Sequence, residues 1–252
     1  MNEILTHIDD GRVGHIQINR YERKNSLTAA MYQTMVDTMR AYDENDSVRV
    51  ILLYGLPEMF CAGNDLSDFL ENPIKGVDSP VIQFLYTLRD LKKPLVMSVN
   101  GVAVGIGVTM LLHADFVVAA DDAKFQLPFI NLALCPEGGS SLLLAQRAGY
   151  LRAAEKLMFG ELFTAQEAQE MGIVSRLLPH HETLRYAVHQ AHHLAEKSPA
   201  AMRETKRLLK APNADGLRKV LDVEIAAFAE LLKGADAREA MTAFFEKRKP
   251  NF

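Results

Sequence analysis

The sequence has few cysteines, no long apolar run and no excess of basic charge. Its two cysteines, Cys61 and Cys135, are too few for a disulfide framework or a cysteine metal site, which favours a reduced, cytoplasmic protein. The longest apolar stretch, residues 102–112, is too short to span a bilayer, and the amino terminus shows no secretory signal. We therefore predict no membrane association. A formal net charge of −4 over 252 residues gives no support for nucleic-acid binding.

Apolar runs alternate with helical segments along most of the chain. Runs at residues 4–8 and 13–18 flank Asp9-Asp10-Gly11, which predicts an opening β-hairpin with a glycine turn. Ser26 or Thr28 is predicted to cap a helix that continues to about Tyr42. Four further runs predict buried strands, at residues 48–54, 94–99, 116–119 and 173–178. Strands that alternate with helices indicate an α/β layer architecture with parallel pairing.

The strand pattern ends near Ser198. Three helices are predicted beyond it, at roughly residues 198–210, 214–233 and 236–247, with Ser198 as the first cap and a capping box over residues 236–239. The middle helix has one apolar face, formed by Leu217, Leu221, Ile225, Phe228 and Leu232. Such a face needs a partner, which we expect to be both the chain's own core and another subunit. We therefore divide the chain into a core, 1–196, and a helical oligomerisation region, 197–252.

Two small-residue turns, each following an apolar strand, carry the strongest functional pattern. They lie within residues 60–66 and 99–107. Turns of this kind let backbone N–H groups approach a ligand, and an oxyanion needs at least two such donors. The pair therefore indicates chemistry on a carbonyl. A dinucleotide site is the rival interpretation, but a G-x-G-x-x-G fingerprint that starts at Gly105 would need glycine where Met110 stands.

Other polar groups near these turns have simpler interpretations. Asp65 is predicted to cap a short helix, and Cys61 to be a small buried side chain. Glu137 lies in a glycine-rich loop before a leucine run. Leu132, Leu134 and that run are expected to desolvate its carboxylate and raise its pKa toward the range of a general base.

Together, the motifs resemble those of the enoyl-CoA hydratase/isomerase (crotonase) superfamily over essentially the whole chain. The matching segments are Asn19-Arg20 with Lys24-Asn25-Ser26-Leu27, the run from Phe60 to Leu66, the run from Asn100 to Gly107, and the run from Ala243 to Lys249. The resemblance implies an α/β fold, a spiral of ββα units, with a C-terminal helical trimerisation region. It also implies a homotrimer or homohexamer that acts on an acyl-CoA substrate.

The resemblance also assigns roles to individual positions. The backbone N–H groups of Asn64 and Ile106 match the family's two oxyanion donors. Substrate-binding positions carried over from the family are Lys24, Ser26, Leu27, Ala62, Gly63, Asn64, Asp65, Leu66 and Gly105. Phe244 and Lys247 match residues that reach the nucleotide end of coenzyme A. No separate cofactor is implied, because coenzyme A is part of the substrate.

The chain departs from the hydratase pattern at two positions. Thr109 and Phe129 stand where hydratases of this family carry two glutamates, and neither can move a proton as a carboxylate does. Glu137 remains, and its Pro-Glu-Gly context resembles the peroxisomal type of Δ3,Δ2-enoyl-CoA isomerase, in which that glutamate is the single acid/base. One carboxylate is enough for isomerisation, because the proton removed from C2 can be returned to C4.

Three alternatives stay open at this point. The chain could be a related isomerase or a hydratase-like enzyme for a different acyl group, or a non-catalytic acyl-CoA-binding protein. No metal site is expected, because the histidines at positions 113, 180, 181, 189, 192 and 193 lack carboxylate or cysteine partners at a recognised spacing. His192-His193 is interpreted as part of a solvated helix face.

Overall fold

A computed structural model describes residues 2–72 and 76–252 of the chain. The strands are β1 Ile4–Ile8, β2 Val13–Ile18, β3 Val50–Tyr54, β4 Leu95–Val99, β5 Val102–Val104, β6 Phe116–Ala120, β7 Lys124–Gln126, β8 Leu162–Thr164 and β9 Arg176–Leu178. The helices are α1 Ala29–Glu44, α2 Leu66–Glu71, α3 Pro80–Asp90, α4 Ile106–Thr109, α5 Ser140–Ala148, α6 Tyr150–Phe159, α7 Ala165–Glu170, α8 Thr183–Ala195, α9 Pro199–Lys210, α10 Ala214–Leu232 and α11 Ala235–Glu246. These elements confirm the predicted α/β architecture.

The strands form one large and one small sheet. The six-stranded sheet has the order β1-β2-β3-β4-β6-β9, and only the β1–β2 hairpin is antiparallel. The small sheet has the order β5-β7-β8. Each of β4 and β6 is followed closely by a strand of the small sheet, so successive ββα units alternate between the sheets. The hairpin prediction is confirmed, but the turn residue with positive φ is Arg12, not the glycine.

The large sheet is apolar on both faces because helices cover both. On one face of β3, Val50 and Leu52 pack against Ala187 and Ala191 of α8. Ile51 and its alternate neighbours belong to the main core, which α1 and α3 also enter. This period of two is what a buried parallel strand requires, and it explains why the strands were visible as unbroken apolar runs.

The C-terminal helices follow their predicted bounds within two residues. Ser198 caps α9, as predicted. The predicted capping box is wrong: Gly234 occupies the cap of α11, and Asp236 lies within its first turn. Glu239 instead binds the guanidinium of Arg248, at 2.5 Å, so its carboxylate is not at the helix start. In the described part of the chain, no helix combines the length and apolarity needed to cross a membrane.

Candidate active site

A short parallel bridge between Cys61 and Ala103 joins the two small-residue turns. The N–H of Cys61 donates to the carbonyl of Val102 at 3.1 Å, and the N–H of Val104 donates to the carbonyl of Cys61 at 2.9 Å. Asn64 and Ile106 each lie three residues beyond this bridge. Gly63 and Gly105 both have positive φ, so each segment leaves the strand direction just before Asn64 or Ile106.

The N–H groups of Asn64 and Ile106 are free to bind a ligand. Neither donates a hydrogen bond to any group in residues 2–72 or 76–252. Ile106 is the first residue of α4, where a helix has no internal acceptor for its N–H. Gly107 makes the close approach possible, because a Cβ there would lie 2.7 Å from the carbonyl oxygen of Cys61.

Asn25 holds residues 24–27 against the start of the first small-residue turn, residues 60–66. Its side-chain amide is fully buried and donates to the carbonyls of Ile18, Met59 and Phe60 at 3.0–3.1 Å. Lys24 and Asn25 both have positive φ, so the chain reverses sharply there. This turn places Lys24 and Ser26 on the wall of the site.

Asp65 confirms its predicted capping role and has a second partner. Its Oδ1 accepts from the N–H groups of Ser67 and Asp68 at the start of α2. Its Oδ2 accepts from Nη1 of Arg20 at 2.7 Å. Burial alone would raise the pKa of Asp65, but the guanidinium and the two N–H donors hold it below its ordinary value. Asp65 is therefore a charged structural group.

Glu137 has the opposite environment. Its side chain is only 7% exposed, and its Oε1 accepts a hydrogen bond from the hydroxyl of Thr109 at 2.5 Å. Burial raises the pKa of Glu137 to about 8, the Thr109 hydroxyl partly opposes that rise, and the Glu224 carboxylate adds to it. The rise is in the direction predicted from the apolar sequence around this loop.

Helix α4 links Glu137 to one of the two turns, because Thr109, which binds Glu137, lies three residues after Ile106. Ile106 and Thr109 are three residues apart on one helical turn, a spacing that places side chains about 5–6 Å apart on one face. Tyr32 closes the same region from α1, because its hydroxyl donates to Oδ1 of Asn64 at 2.5 Å. Burial, with the nearby Glu137 among the smaller causes, raises the pKa of Tyr32 well above its ordinary value.

A cavity of about 610 Å³ opens in front of the paired turns. Most of the predicted site residues line it: the substrate-binding positions Lys24, Ser26, Ala62, Gly63, Asn64, Asp65, Leu66, Gly105 and Phe244, and the predicted oxyanion donor Ile106. Leu27 lies instead on a second cavity of about 490 Å³, beside Tyr32 and Phe69. Glu137 is not among the lining residues of either cavity. Phe129 lines the larger one.

The C-terminal end of α11 also reaches the large cavity. Phe244 and Arg248 line it, whereas the exposed Lys247 does not. Lys247 ends α11 with a left-handed backbone, which turns the chain so that the next residue faces the cavity. At this end of the chain, Arg248 is the cation that lines the cavity, and the role of Lys247 stays a prediction.

Sequence reasoning missed three polar contacts around the site: the Arg20–Asp65 ion pair, the Tyr32–Asn64 hydrogen bond and the Asn25 amide network. Arg20 and Asn25 both stood within the quoted motifs, which was the available signal for them. Tyr32 gave none, because a tyrosine on the apolar face of a helix is ordinarily core.

The histidines need one correction. His192 is not simply solvated, because its Nε2 lies 2.7 Å from Oδ2 of Asp9, which also contacts His15 at 2.9 Å. Within residues 2–72 and 76–252, no group of three or more His, Cys, Asp or Glu side chains is arranged to hold a metal ion.

Comparison with known proteins gives a consistent result. The family model described as enoyl-CoA hydratase/isomerase matches residues 9–252. The chain is 33% identical to 2,3-dehydroadipyl-CoA hydratase of Escherichia coli, over 96% of this chain and 95% of the relative. It is 32% identical to 1,2-epoxyphenylacetyl-CoA isomerase of the same organism, over 100% and 98%. The crystal structure of an enoyl-CoA hydratase/isomerase from Pseudoalteromonas atlantica T6c superposes with a TM-score of 0.94 at 34% identity, covering 100% of both chains.

Proposed function

Because the chain belongs to the enoyl-CoA hydratase/isomerase (crotonase) family, we propose that it moves the double bond of 3-enoyl-CoA to give 2-trans-enoyl-CoA. Relatives of nearly equal identity bear the names of a hydratase and an isomerase, so the names do not choose between the reactions. The observation that carries the proposal is which of the family's acid/base positions hold a carboxylate in this chain. Glu137 is a buried carboxylate bound to Thr109 on α4, while Thr109 and Phe129 occupy the two positions of the hydratase glutamates.

In the proposed mechanism, the thioester oxygen accepts hydrogen bonds from the N–H groups of Asn64 and Ile106. The ionised Glu137 removes a proton from C2, and the electron pair moves onto the thioester oxygen to give a dienolate. The two donors stabilise this oxyanion, and one such donor is typically worth about 3 kcal/mol. The electrons then return as the protonated Glu137 gives its proton to C4, which leaves the double bond between C2 and C3.

The buried setting of Glu137 supports this role in both half-reactions. A raised pKa makes the carboxylate a stronger base toward a weakly acidic C2 proton, and it keeps the proton on Glu137 during the life of the dienolate. Thr109 supports it further, since its hydroxyl can donate to the ionised carboxylate. Hydration would require a second group to deliver water, and the larger cavity presents Phe129 at that position.

We further propose that the coenzyme A portion lies along the large cavity and that the chain forms a homotrimer or homohexamer. Lys24, on the wall of that cavity, supplies a cation for the nucleotide phosphates, whereas the guanidinium of Arg248 is already paired with Glu239 and Glu246. Exposed apolar side chains on α6 support the assembly: Tyr150, Leu151, Met158 and Phe159 are each more than 60% exposed in the single chain.

The test is formation of the conjugated enoyl thioester, followed by ultraviolet absorbance, from 3-enoyl-CoA esters with the wild type and Glu137→Gln. We expect conversion by the wild type and a loss of about 10²- to 10⁴-fold in the variant. Retained coenzyme A ester binding without conversion by the wild type would refute the isomerase and favour a binding protein. Equal conversion by both proteins would refute the role of Glu137.

A further inference from the structure

A second buried carboxylate approaches the Glu137 loop from the C-terminal helices. Glu224 lies on α10, is 6% exposed and directs its carboxylate at the residues that follow Glu137. Its Oε2 accepts from the N–H of Gly139 at 2.6 Å. Its Oε1 accepts from the N–H of Ser141 at 3.0 Å and from the Ser141 hydroxyl at 2.5 Å. One side chain therefore fixes two backbone positions just beyond Glu137.

The same loop is held from its other side. Nε2 of His113 lies 2.7 Å from the carbonyl oxygen of Gly138. Burial lowers the pKa of His113 to about 3, so the ring is neutral and Nε2 is the nitrogen that donates. Helix α10 also packs directly on the loop, because a Cβ on Gly139 would lie 2.4 Å from Cδ1 of Leu217. The backbone that carries Glu137 is thus clamped between His113 and α10.

The two carboxylates differ in the number of donors that they receive. From the residues that the structure describes, Glu224 accepts three hydrogen bonds and Glu137 accepts one, from Thr109. Donors favour the charged form of a carboxyl group, so within the pair the negative charge is best accommodated on Glu224 and the proton on Glu137. Burial raises the pKa of Glu224, and its Ser141 and Gly139 donors oppose that rise.

Glu224 is the charged neighbour in this environment. Four titratable side chains lie around this loop: Cys135 on the loop itself, Tyr32 with its neighbour Cys61, and His113, beyond which lie the cations Lys206, Lys210 and Arg147. Burial holds each of these four side chains in its neutral form near pH 7, since it raises the pKa of the tyrosine and both cysteines and lowers that of the histidine. Among the described residues, no Lys or Arg forms an ion pair with Glu224 that would neutralise its charge.

We propose that Glu224 is a positioning residue for Glu137: it fixes the loop that carries the base and places a negative charge behind it. This inference rests on the proposed function. The negative charge of Glu224 raises the proton affinity of Glu137, so that Glu137 keeps the proton taken from C2 until it transfers that proton to C4. The helical region beyond residue 196 then completes the active site within one chain, in addition to any part it plays in assembly.

The test compares the pH dependence of kcat/KM for 3-enoyl-CoA in the wild type, Glu224→Gln, Glu224→Asp and Glu230→Gln. The rate of a reaction that needs ionised Glu137 rises with pH through the pKa of that group. Removing the charge in Glu224→Gln is expected to move this acidic limb down by about one pH unit. It is also expected to lower kcat about 10- to 100-fold, since the loop loses its anchor.

The other variants separate the effect of the Glu224 charge from the effect of the length of its side chain. Glu224→Asp keeps the charge but shortens the side chain, so we expect a lower kcat with the acidic limb in place. Glu230 is exposed on the same helix, and Glu230→Gln removes an equal charge with no contact to the loop, so both parameters are expected to stay at their wild-type values. An unmoved limb in Glu224→Gln would overturn the proposal, whether or not kcat falls.

Two further measurements keep the proposal testable. If Glu224→Gln does not fold, Ser141→Ala removes one donor to Glu224, and we expect a smaller shift of the limb in the same direction. If the wild type does not isomerise 3-enoyl-CoA, the proposed function fails, yet carbon-13 NMR of labelled glutamate can still follow the titration of Glu137. A lower pKa of Glu137 in Glu224→Gln would support the positioning role, and an unchanged one would overturn it.

Discussion

Asp65 and Glu137 occupy comparable places in two loops that each precede a helix, and both side chains are less than 10% exposed. They differ in their partners. Asp65 has the Arg20 guanidinium at 2.7 Å and two N–H donors, whereas Glu137 has one hydroxyl and a carboxylate neighbour. The comparison teaches that burial alone does not make a carboxylate reactive. The Arg20 cation makes Asp65 a fixed structural charge, and the absence of a cation leaves Glu137 with the raised pKa that its proposed role requires.

The largest expected effects come from replacing each carboxylate with its amide. Glu137→Gln is expected to lose activity by orders of magnitude with little loss of stability, because the amide can still accept from Thr109. Asp65→Asn is expected to lose about 2 kcal/mol of stability, the usual size for hydrogen bonds to a charged group, and less activity than Glu137→Gln. Turnover assays and urea unfolding of both variants check this crossed pattern. Loss of stability in Glu137→Gln that matches its loss of activity would break the comparison.

The pH dependence of stability sharpens the comparison, because the two groups act with opposite sign. The pKa of Glu137 is raised from an ordinary 4.5 to about 8, so its contribution to stability is full below about 4.5 and is lost as the pH rises through 8. Thermal unfolding across this range is therefore expected to show Glu137→Gln gaining on the wild type as the pH rises.

Asp65 has a pKa below its ordinary 3.8, so its contribution is present above that value and is lost as the pH falls through the folded-state pKa. The deficit of Asp65→Asn relative to the wild type is expected to shrink in acid. Parallel pH profiles for the two variants would contradict the assignment of opposite environments.

The smallest expected effect on activity comes from Tyr32, which binds the side chain of Asn64. Tyr32→Phe removes the hydroxyl that holds the Asn64 side chain, while the ring keeps its packing against Phe84. We expect a several-fold fall in kcat, since a neutral hydrogen bond contributes about 1 kcal/mol. The position of the acidic limb is expected to stay unchanged. A shift of that limb as large as in Glu224→Gln would place Tyr32 in the acid/base machinery.

Local pattern predicted the alternation of strands and helices and the two small-residue turns, while the roles of the site residues came from the family resemblance. The strands were readable because burial on both faces leaves continuous apolar runs, and Glu137 stood out because leucines surround it in the sequence. The contacts that tune the carboxylates were not readable. Arg20 lies 45 residues from Asp65, and Glu224 lies 85 residues from Gly139. Such pairs depend on how helices and loops pack, which residue spacing does not encode.

The central claim is that one buried carboxylate carries the proton from C2 to C4. We would therefore supply 3-enoyl-CoA deuterated at C2 in ordinary water and locate the label in the product by NMR at early conversion. Because Glu137 is nearly sealed from solvent, the account predicts deuterium at C4 in a measurable fraction of the product. Product whose C4 carries only solvent hydrogen, even in the first turnovers, would contradict it.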